Sequence, residues 1–379
     1  MSLKVLSVFG TRPEAVKMAP VVQQLAQTPG IEARVCVTAQ HRQMLDQVLR
    51  LFQIQPDYDL DLMREDQGLG ELSAAIFTHL EPVFVDFQPD WILVQGDTTT
   101  VAITALLAYY RRVRVGHVEA GLRTFDKWQP FPEEINRRVA GVAADLHFAP
   151  TEWTRNNLLR EGVDDRLIAV TGNPVIDALQ FVAQQPEPEG VIRLIERLEV
   201  GERNSNQDGR RLILVTAHRR ENFGAPLESI CAALTTLAAR GDVEIVYPVH
   251  LNPNVQEPVY RMLGNVPHIT LLKPLDYLPL VHLMKHAELI LTDSGGIQEE
   301  APAFGIPVLV LREVTERPEG VEAGTVKVVG ADTEHITREA NCLLDDAAAY
   351  AKMAHAVNPY GDGHAARRIV QALLDHSMS

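Results

Sequence analysis

Only three cysteines occur in 379 residues, and Cys36, Cys231 and Cys342 stand far apart without C-x-x-C spacing. That excludes a disulfide framework and a thiolate zinc site, and it fits a reducing compartment, so a cytoplasmic location is expected. Positive charge is scarce as well. Lys and Arg number 35 against 50 Asp and Glu, a net charge of −15, which argues against nucleic acid or an anionic membrane as partner. Any phosphate compound must therefore meet a locally basic site. The chain has no long apolar run, and its first strand candidate starts at Leu3, so neither a membrane span nor a targeting segment is expected. The P-loop pattern G-x-x-x-x-G-K-[ST] is absent, which removes that route to phosphoryl transfer. One G-x-G-x-x-A match, Gly361-Asp-Gly-His-Ala-Ala366, has no strand before it and no βαβ unit after it. It is a turn that opens the last helix, and a nicotinamide site is unsupported. No His/Cys/Asp set has ligand spacing, so no metal and no cofactor are expected.

What the chain does have is rhythm. Short apolar segments at 3–9, 33–38, 91–95, 114–118, 146–149 and 167–170 alternate with helical patterns, and the alternation returns at 211–216, 243–249, 269–272, 289–292, 308–311 and 326–329. This is a parallel α/β pattern met twice, in a chain longer than one core usually supports. The expected architecture is α/β: two Rossmann-like doubly wound domains with ligands in a central cleft. The Pro- and Glu-rich run 183–190 marks the boundary region. Residues 1–178 with 360–379 are expected to form one domain and 179–359 the other.

Candidate chemistry sits where strands end. Asp293-Ser294-Gly295-Gly296 follows an apolar strand and opens a helix, a geometry in which backbone N–H groups and the helix dipole face an anion. Glu299 and Glu300 are expected in that helix's first turn, and a ribose diol would suit one of them. The plainer reading is an ordinary strand–turn–helix corner. Near the N-terminus, Thr11 and Glu14 make a capping box with Pro13 in first helical position, and Arg12 and Lys17 place two cations there. Asp97, Glu119 and Glu133 fall after strands or at a helix start. Each has a dull alternative: Asp97 as an N-cap, Glu119 as a partner of Arg123, Glu133 and Glu134 as first-turn acids. Grouped carboxylates push one another's pKa values apart, so one cluster supplies both acid and base. His218, with Arg219 and Arg220 beside it, ends another strand, and Arg317 follows a further one.

Taken together, Gly10-Thr-Arg-Pro-Glu-Ala15 with Lys17, Gly96-Asp-Thr98, His117-Val-Glu-Ala-Gly121, Pro132-Glu-Glu-Ile-Asn-Arg137, His218-Arg-Arg-Glu221, Asp293-Ser-Gly-Gly-Ile-Gln-Glu-Glu-Ala-Pro302 and Thr315-Glu-Arg-Pro-Glu319 closely resemble the non-hydrolysing UDP-N-acetylglucosamine 2-epimerases. The resemblance runs in order through nearly the whole chain. It implies a glycosyltransferase-B-like fold, usually a homodimer, that interconverts UDP-GlcNAc and UDP-ManNAc for surface polysaccharide synthesis. It further implies that Asp97, Glu119, Glu133 and His218 line the reacting sugar, while Arg12, Lys17, Ser294, Gly295, Gly296, Glu300 and Arg317 hold UDP. Two departures stand out: Leu275 and Leu280 replace the Gln and Phe that relatives place near uracil. Gln40-His-Arg42 matches an activator site of some relatives, but Asp66 precedes Gln67 where they carry a basic residue. A glycosyltransferase of the same architecture, a hydrolysing epimerase and a catalytically silent nucleotide-sugar sensor are the alternatives.

Overall fold

A computed structural model describes residues 2–39, 42–64, 67–201, 203 and 209–378. Gln40, His41 and Asp66 lie outside the described residues. The chain divides into two compact units, Met1–Gln180 with Tyr360–Ser379 and Phe181–Pro359.

The first unit holds seven strands: β1 (Leu3–Phe9), β2 (Ile31–Val37), β3 (Tyr58–Asp59), β4 (Trp91–Gln95), β5 (Arg114–Val118), β6 (Leu146–Ala149) and β7 (Ile168–Val170). All pair in parallel, in the order β3-β2-β1-β4-β5-β6-β7. Strands such as Trp91–Gln95 are buried at every position, which is why they read as continuous apolar runs. The last helix, Ala365–Met378, returns to this unit: Ala365 and Ala366 donate backbone N–H groups to Asp177, and Trp91 Nε1 donates to Ser377 Oγ at 2.9 Å.

The second unit has six strands: β8 (Arg211–Thr216), β9 (Val243–Pro248), β10 (Ile269–Leu272), β11 (Ala287–Thr292), β12 (Val308–Val310) and β13 (Val326–Val328). They are again all parallel, in the order β10-β9-β8-β11-β12-β13. One apolar cluster built around Ile213, Ile245, Leu289, Leu309 and Leu234 fills the space between this sheet and its helices. In both sheets the winding direction reverses, between β1 and β4 in the first and between β8 and β11 in the second. Loops part at the carboxyl ends of such strand pairs, and ligands bind in the resulting crevices.

The expected fold class, two parallel-sheet α/β domains, is what the structure has. Several details differ, among them shifts of one or two residues at the ends of β9, β11, β12 and β13. β3 is an unexpected edge strand of two residues, too short to carry an apolar period. β2 starts at Ile31 because the half-exposed Ile31–Arg34 stretch pairs along the whole length of β1. Leu167 belongs to a 3-10 turn, Asp165–Leu167, rather than to β7. Thr11 does cap the helix Arg12–Gln27 with a complete capping box, but Arg12 takes the first helical position and Pro13 the second. No helix among the described residues is long and apolar enough to cross a membrane.

Candidate active site

In the first unit the switch-point loops are tied by a buried carboxylate. Glu14 Oε2 accepts from the backbone N–H of Gly10 at 2.8 Å and of Thr11 at 2.7 Å, just after β1. Its Oε1 accepts from Thr98 Oγ1 at 2.6 Å, just after β4. Burial raises the Glu14 pKa, and these hydrogen bonds oppose the rise. Gly10 is required by close approach: a Cβ there would overlap Thr38 Oγ1.

Asp97, Glu119 and Glu133, named from sequence, all lie in this unit, and each has a different setting. Asp97 forms a two-point pair with Arg137, through Nε at 3.0 Å and Nη2 at 2.7 Å. The N-cap of the following helix, Thr99–Arg111, is Thr98 and not Asp97. Glu119 leaves β5 with φ +64°, a left-handed conformation uncommon for a residue with a side chain. It is 6% exposed and accepts from Lys17 Nζ, Gln95 Nε2 and, at 3.0 Å, Asn173 Nδ2. Arg123 pairs with Glu161 at 2.7 and 2.8 Å, which removes it as the dull explanation for Glu119. Lys17 thus serves the acid set directly. A Cβ on Gly96 would lie 3.6 Å from Glu119 Oε2, so the loops after β4 and β5 adjoin.

The helix Glu133–Ala143 separates its two leading acids. Glu134 is fully buried and accepts the backbone N–H groups of Thr124 and Phe125, both at 3.1 Å, together with Arg137 Nη1 at 3.2 Å. It braces a loop. Glu133, one residue earlier, has a buried Oε2 with no hydrogen-bond partner among the described residues. Asn136 Nδ2 donates to the Asp97 carbonyl at 2.9 Å and fastens this helix to the β4 loop. His117 also supports that loop: its Nε2 lies 2.7 Å from the Gly96 carbonyl, which can only accept, so the ring is protonated on Nε2. Burial lowers the His117 pKa to about 4. Arg12 makes no ion pair among the described residues and takes the first helical position after β1.

In the second unit the bridging carboxylate is Asp293, fully buried after β11. Its Oδ2 accepts from the backbone N–H groups of His218 and Arg219, each at 2.8 Å, and from Asn222 Nδ2 at 3.0 Å. The helix Gly295–Glu300 starts beside it, with Ser294 as N-cap but without a side-chain capping bond. The nearest atoms a Cβ added at Gly295 would meet belong to two guanidinium groups, Arg317 Nη2 at 3.8 Å and Cζ at 3.9 Å and Arg219 Nη2 at 3.9 Å. Two cations therefore face the helix start, and Arg219 Nε is buried without a hydrogen-bond partner. Arg317 is held from behind by Glu299. Gln298 links the loops: its Nε2 donates to the Ser294 carbonyl at 3.3 Å, its Oε1 accepts from Thr315 Oγ1 at 2.6 Å, and Thr315 Oγ1 accepts from the Arg317 N–H at 3.1 Å.

Glu299 and Glu300 are not in the first turn, as the sequence led us to expect. The helix begins at Gly295, so they fall in its second turn, where a carboxylate gains little from the dipole and does not face the anion. That position frees Glu300 for another partner, and Tyr277 Oη donates to it at 3.0 Å. Leu275 lines a separate groove of about 710 Å³ with Val191, Leu194, Leu272 and Leu283 and with Arg193 and Arg197 at its edge, and none of the acids and arginines described above borders it. Among the described residues no group of three or more His, Cys, Asp or Glu side chains is placed to hold a metal ion. Sequence reasoning assigned no role to Arg137, Gln95, Asn173, Asp293, Gln298 or Tyr277. Asp293, Gln298 and Arg137 lay inside quoted motifs, whereas nothing local marks Asn173, 54 positions from Glu119.

Parallel sheets whose switch-point loops carry acids in one unit and guanidinium groups around a Gly-Gly helix start in the other define the class: α/β enzymes that handle anionic, nucleotide-like ligands. The comparisons with known proteins are specific. The family described as UDP-N-acetylglucosamine 2-epimerase matches residues 23–374. The chain is 56% identical over 378 residues to the UDP-N-acetylglucosamine 2-epimerase of Salmonella typhimurium, covering 100% of both. It resembles the crystal structure of UDP-GlcNAc 2-epimerase from Neisseria meningitidis bound to UDP-GlcNAc, with a TM-score of 0.89 and 48% identity over 98% of this chain and 100% of that one. A Methanocaldococcus jannaschii enzyme in complex with UDP-GlcNAc and UDP gives a TM-score of 0.80 at 32% identity, over 98% and 100%. The chain belongs to the UDP-N-acetylglucosamine 2-epimerase family, a family of isomerases.

The neutral state of His117 makes a pH prediction. Folded, it titrates at about 4, against about 6.5 when unfolded. Between those values the unfolded chain binds a proton that the folded chain refuses, so stability falls as pH drops through the window. His117→Gln keeps a donor for the Gly96 carbonyl and cannot titrate. In urea unfolding it should lose less stability than wild type from pH 7 to pH 4, by on the order of 3 kcal/mol. Equal acid losses in the two proteins would show that His117 does not carry this dependence.

Proposed function

We propose that this chain reversibly epimerises UDP-N-acetylglucosamine at C2, giving UDP-N-acetylmannosamine, by eliminating UDP and adding it back. The C2 proton adjoins no carbonyl, so a modest base cannot remove it unaided. Departure of UDP from C1 leads, the developing oxocarbenium character acidifies C2–H, and loss of that proton leaves 2-acetamidoglucal. Inversion needs a proton returned to the opposite face of C2 before UDP re-adds at C1. Two proton-handling groups are the minimum.

The observation that carries this reading is the unequal setting of the three acids. Asp97 is paired to a guanidinium, Glu119 is matched by Lys17 and two amides, and Glu133 keeps a buried oxygen unpaired. Such differences separate proton affinities within one cluster. In this reading Asp97, Glu119, Glu133 and His218 act at the sugar. Arg12, Ser294, Gly295, Gly296 and Arg317 hold the diphosphate, with Lys17 serving Glu119 as well, and Glu300, steadied by Tyr277, takes the ribose. No metal or other cofactor enters this scheme. The resemblance supports a homodimer, and the three scattered cysteines and the net charge of −15 support a cytoplasmic protein whose partner is neither membrane nor nucleic acid.

Heavy water supplies the decisive experiment. UDP-ManNAc formed from UDP-GlcNAc should carry deuterium at C2 by NMR, and product that retains C2 protium would sink the elimination route. Free ManNAc with released UDP would instead identify a hydrolysing enzyme.

The acids and the phosphate loop can be tested separately. Asp97→Asn, Glu119→Gln and Glu133→Gln should each keep UDP binding in calorimetry and lose turnover by on the order of a hundredfold or more. Wild-type turnover in all three would make the cluster structural. Gly295→Val should fold, since the nearest atoms to the added Cβ are arginine tips, and should weaken UDP binding at least about tenfold by blocking backbone approach. Unchanged affinity would place the phosphates elsewhere.

A further inference from the structure

The two oxygens of Asp293 live different lives. Oδ2 is saturated by the His218 and Arg219 backbone and by Asn222. Oδ1 is buried, makes no hydrogen bond among the described residues, and lies 3.5 Å from His218 Nδ1. A fully buried carboxylate oxygen without a donor is costly. The imidazole beside it has a nitrogen able to supply that donor, and catalytic hydrogen bonds are often long before ligand binds. The ring is confined on its face too. His250 stacks on it with centroids 5.3 Å apart and planes 13° from parallel. His250 Nδ1 accepts from the Asn252 N–H at 3.1 Å, so that ring in its neutral form is protonated on Nε2 and leaves His218 Nδ1 to Asp293.

We propose that Asp293 is a positioning residue for His218: its Oδ1 takes the Nδ1 proton, fixing the tautomer and leaving Nε2 as the nitrogen that meets the ligand. The same carboxylate pins the main chain at 218 and 219, so ring orientation and loop position are set by one group. This is the logic by which a buried acid orients a catalytic imidazole. It rests on the reading of His218 as a group of the reacting site. Arg219, whose backbone shares the carboxylate, and His250 are the other titratable or charged groups that act on the ring.

The test is 15N NMR of His218 in the full chain, its signal assigned with His218→Gln, combined with a double-mutant cycle. Neutral His218 in the wild type should be protonated on Nδ1. Asp293→Asn keeps a carbonyl for the two backbone N–H groups but turns an NH2 toward Nδ1, so the proton should move to Nε2. That variant should lose kcat by about a hundredfold or more with KM changed by less than about threefold. In a His218→Gln background it should cost under about threefold further, because the group it orients is gone. A wild-type ring protonated on Nε2, or an equal cost of Asp293→Asn with and without His218, overturns the proposal. The wild-type tautomer needs no variant at 293, so the proposal can be refuted even if Asp293→Asn fails to fold. Wild-type turnover in His218→Gln overturns the role of His218 itself, and that variant alone tells the two failures apart.

Discussion

In each unit one buried carboxylate bridges the two loops that part where the sheet reverses its winding. Glu14 reaches from the loop after β1 to Thr98 after β4, and Asp293 reaches from the loop after β11 to His218 and Arg219 after β8. Parallel sheets create this need. Their strand-end loops carry unpaired backbone N–H groups, and at a switch point no neighbouring strand is there to satisfy them. A carboxylate, with up to four acceptor sites, satisfies several at once. Asp97 in the first unit and His218 and Arg219 in the second stand on the loops these two acids fix.

The remaining charges follow from that frame. Burying ionised groups is tolerated only when they are matched, and the acids of the first unit are matched in graded fashion. Glu134 is consumed by backbone and Arg137, Asp97 by Arg137, Glu119 by Lys17 with Gln95 and Asn173, and Glu133 only in part. In the second unit the grading concerns cations. Arg317 is braced by Glu299 while its Nη2, with that of Arg219, faces the Gly295 helix start. A chain of net charge −15 thus sets two guanidinium groups side by side at one helix start.

The alternation of apolar strands and helical segments, the capping box of Thr11 and Glu14, the glycine turn at Ser294, and the acids at strand ends were all legible in the sequence, because each is a local pattern: a strand's period, a cap's spacing, a glycine's freedom. That is why β1, β4, β5, β6, β8 and β10 match their sequence bounds residue for residue. Where the signal was short or mixed, as at β3 and β2, the sequence misled or was silent.

Strand order, by contrast, has no local signature, and the switch points between β1 and β4 and between β8 and β11 exist only once the sheets are assembled. The same holds for the partners of each charge. Nothing along the chain joins Asn173 or Lys17 to Glu119, separates Glu133 from Glu134, or sets Asp293 beneath His218. The sequence by itself determined where most strands run and what chemistry follows them, because those are properties of neighbours along the chain. Only the tertiary structure decided which of them meet and which charge is left unpaired, because pairing of buried groups depends on distance through space and on the water that folding removes.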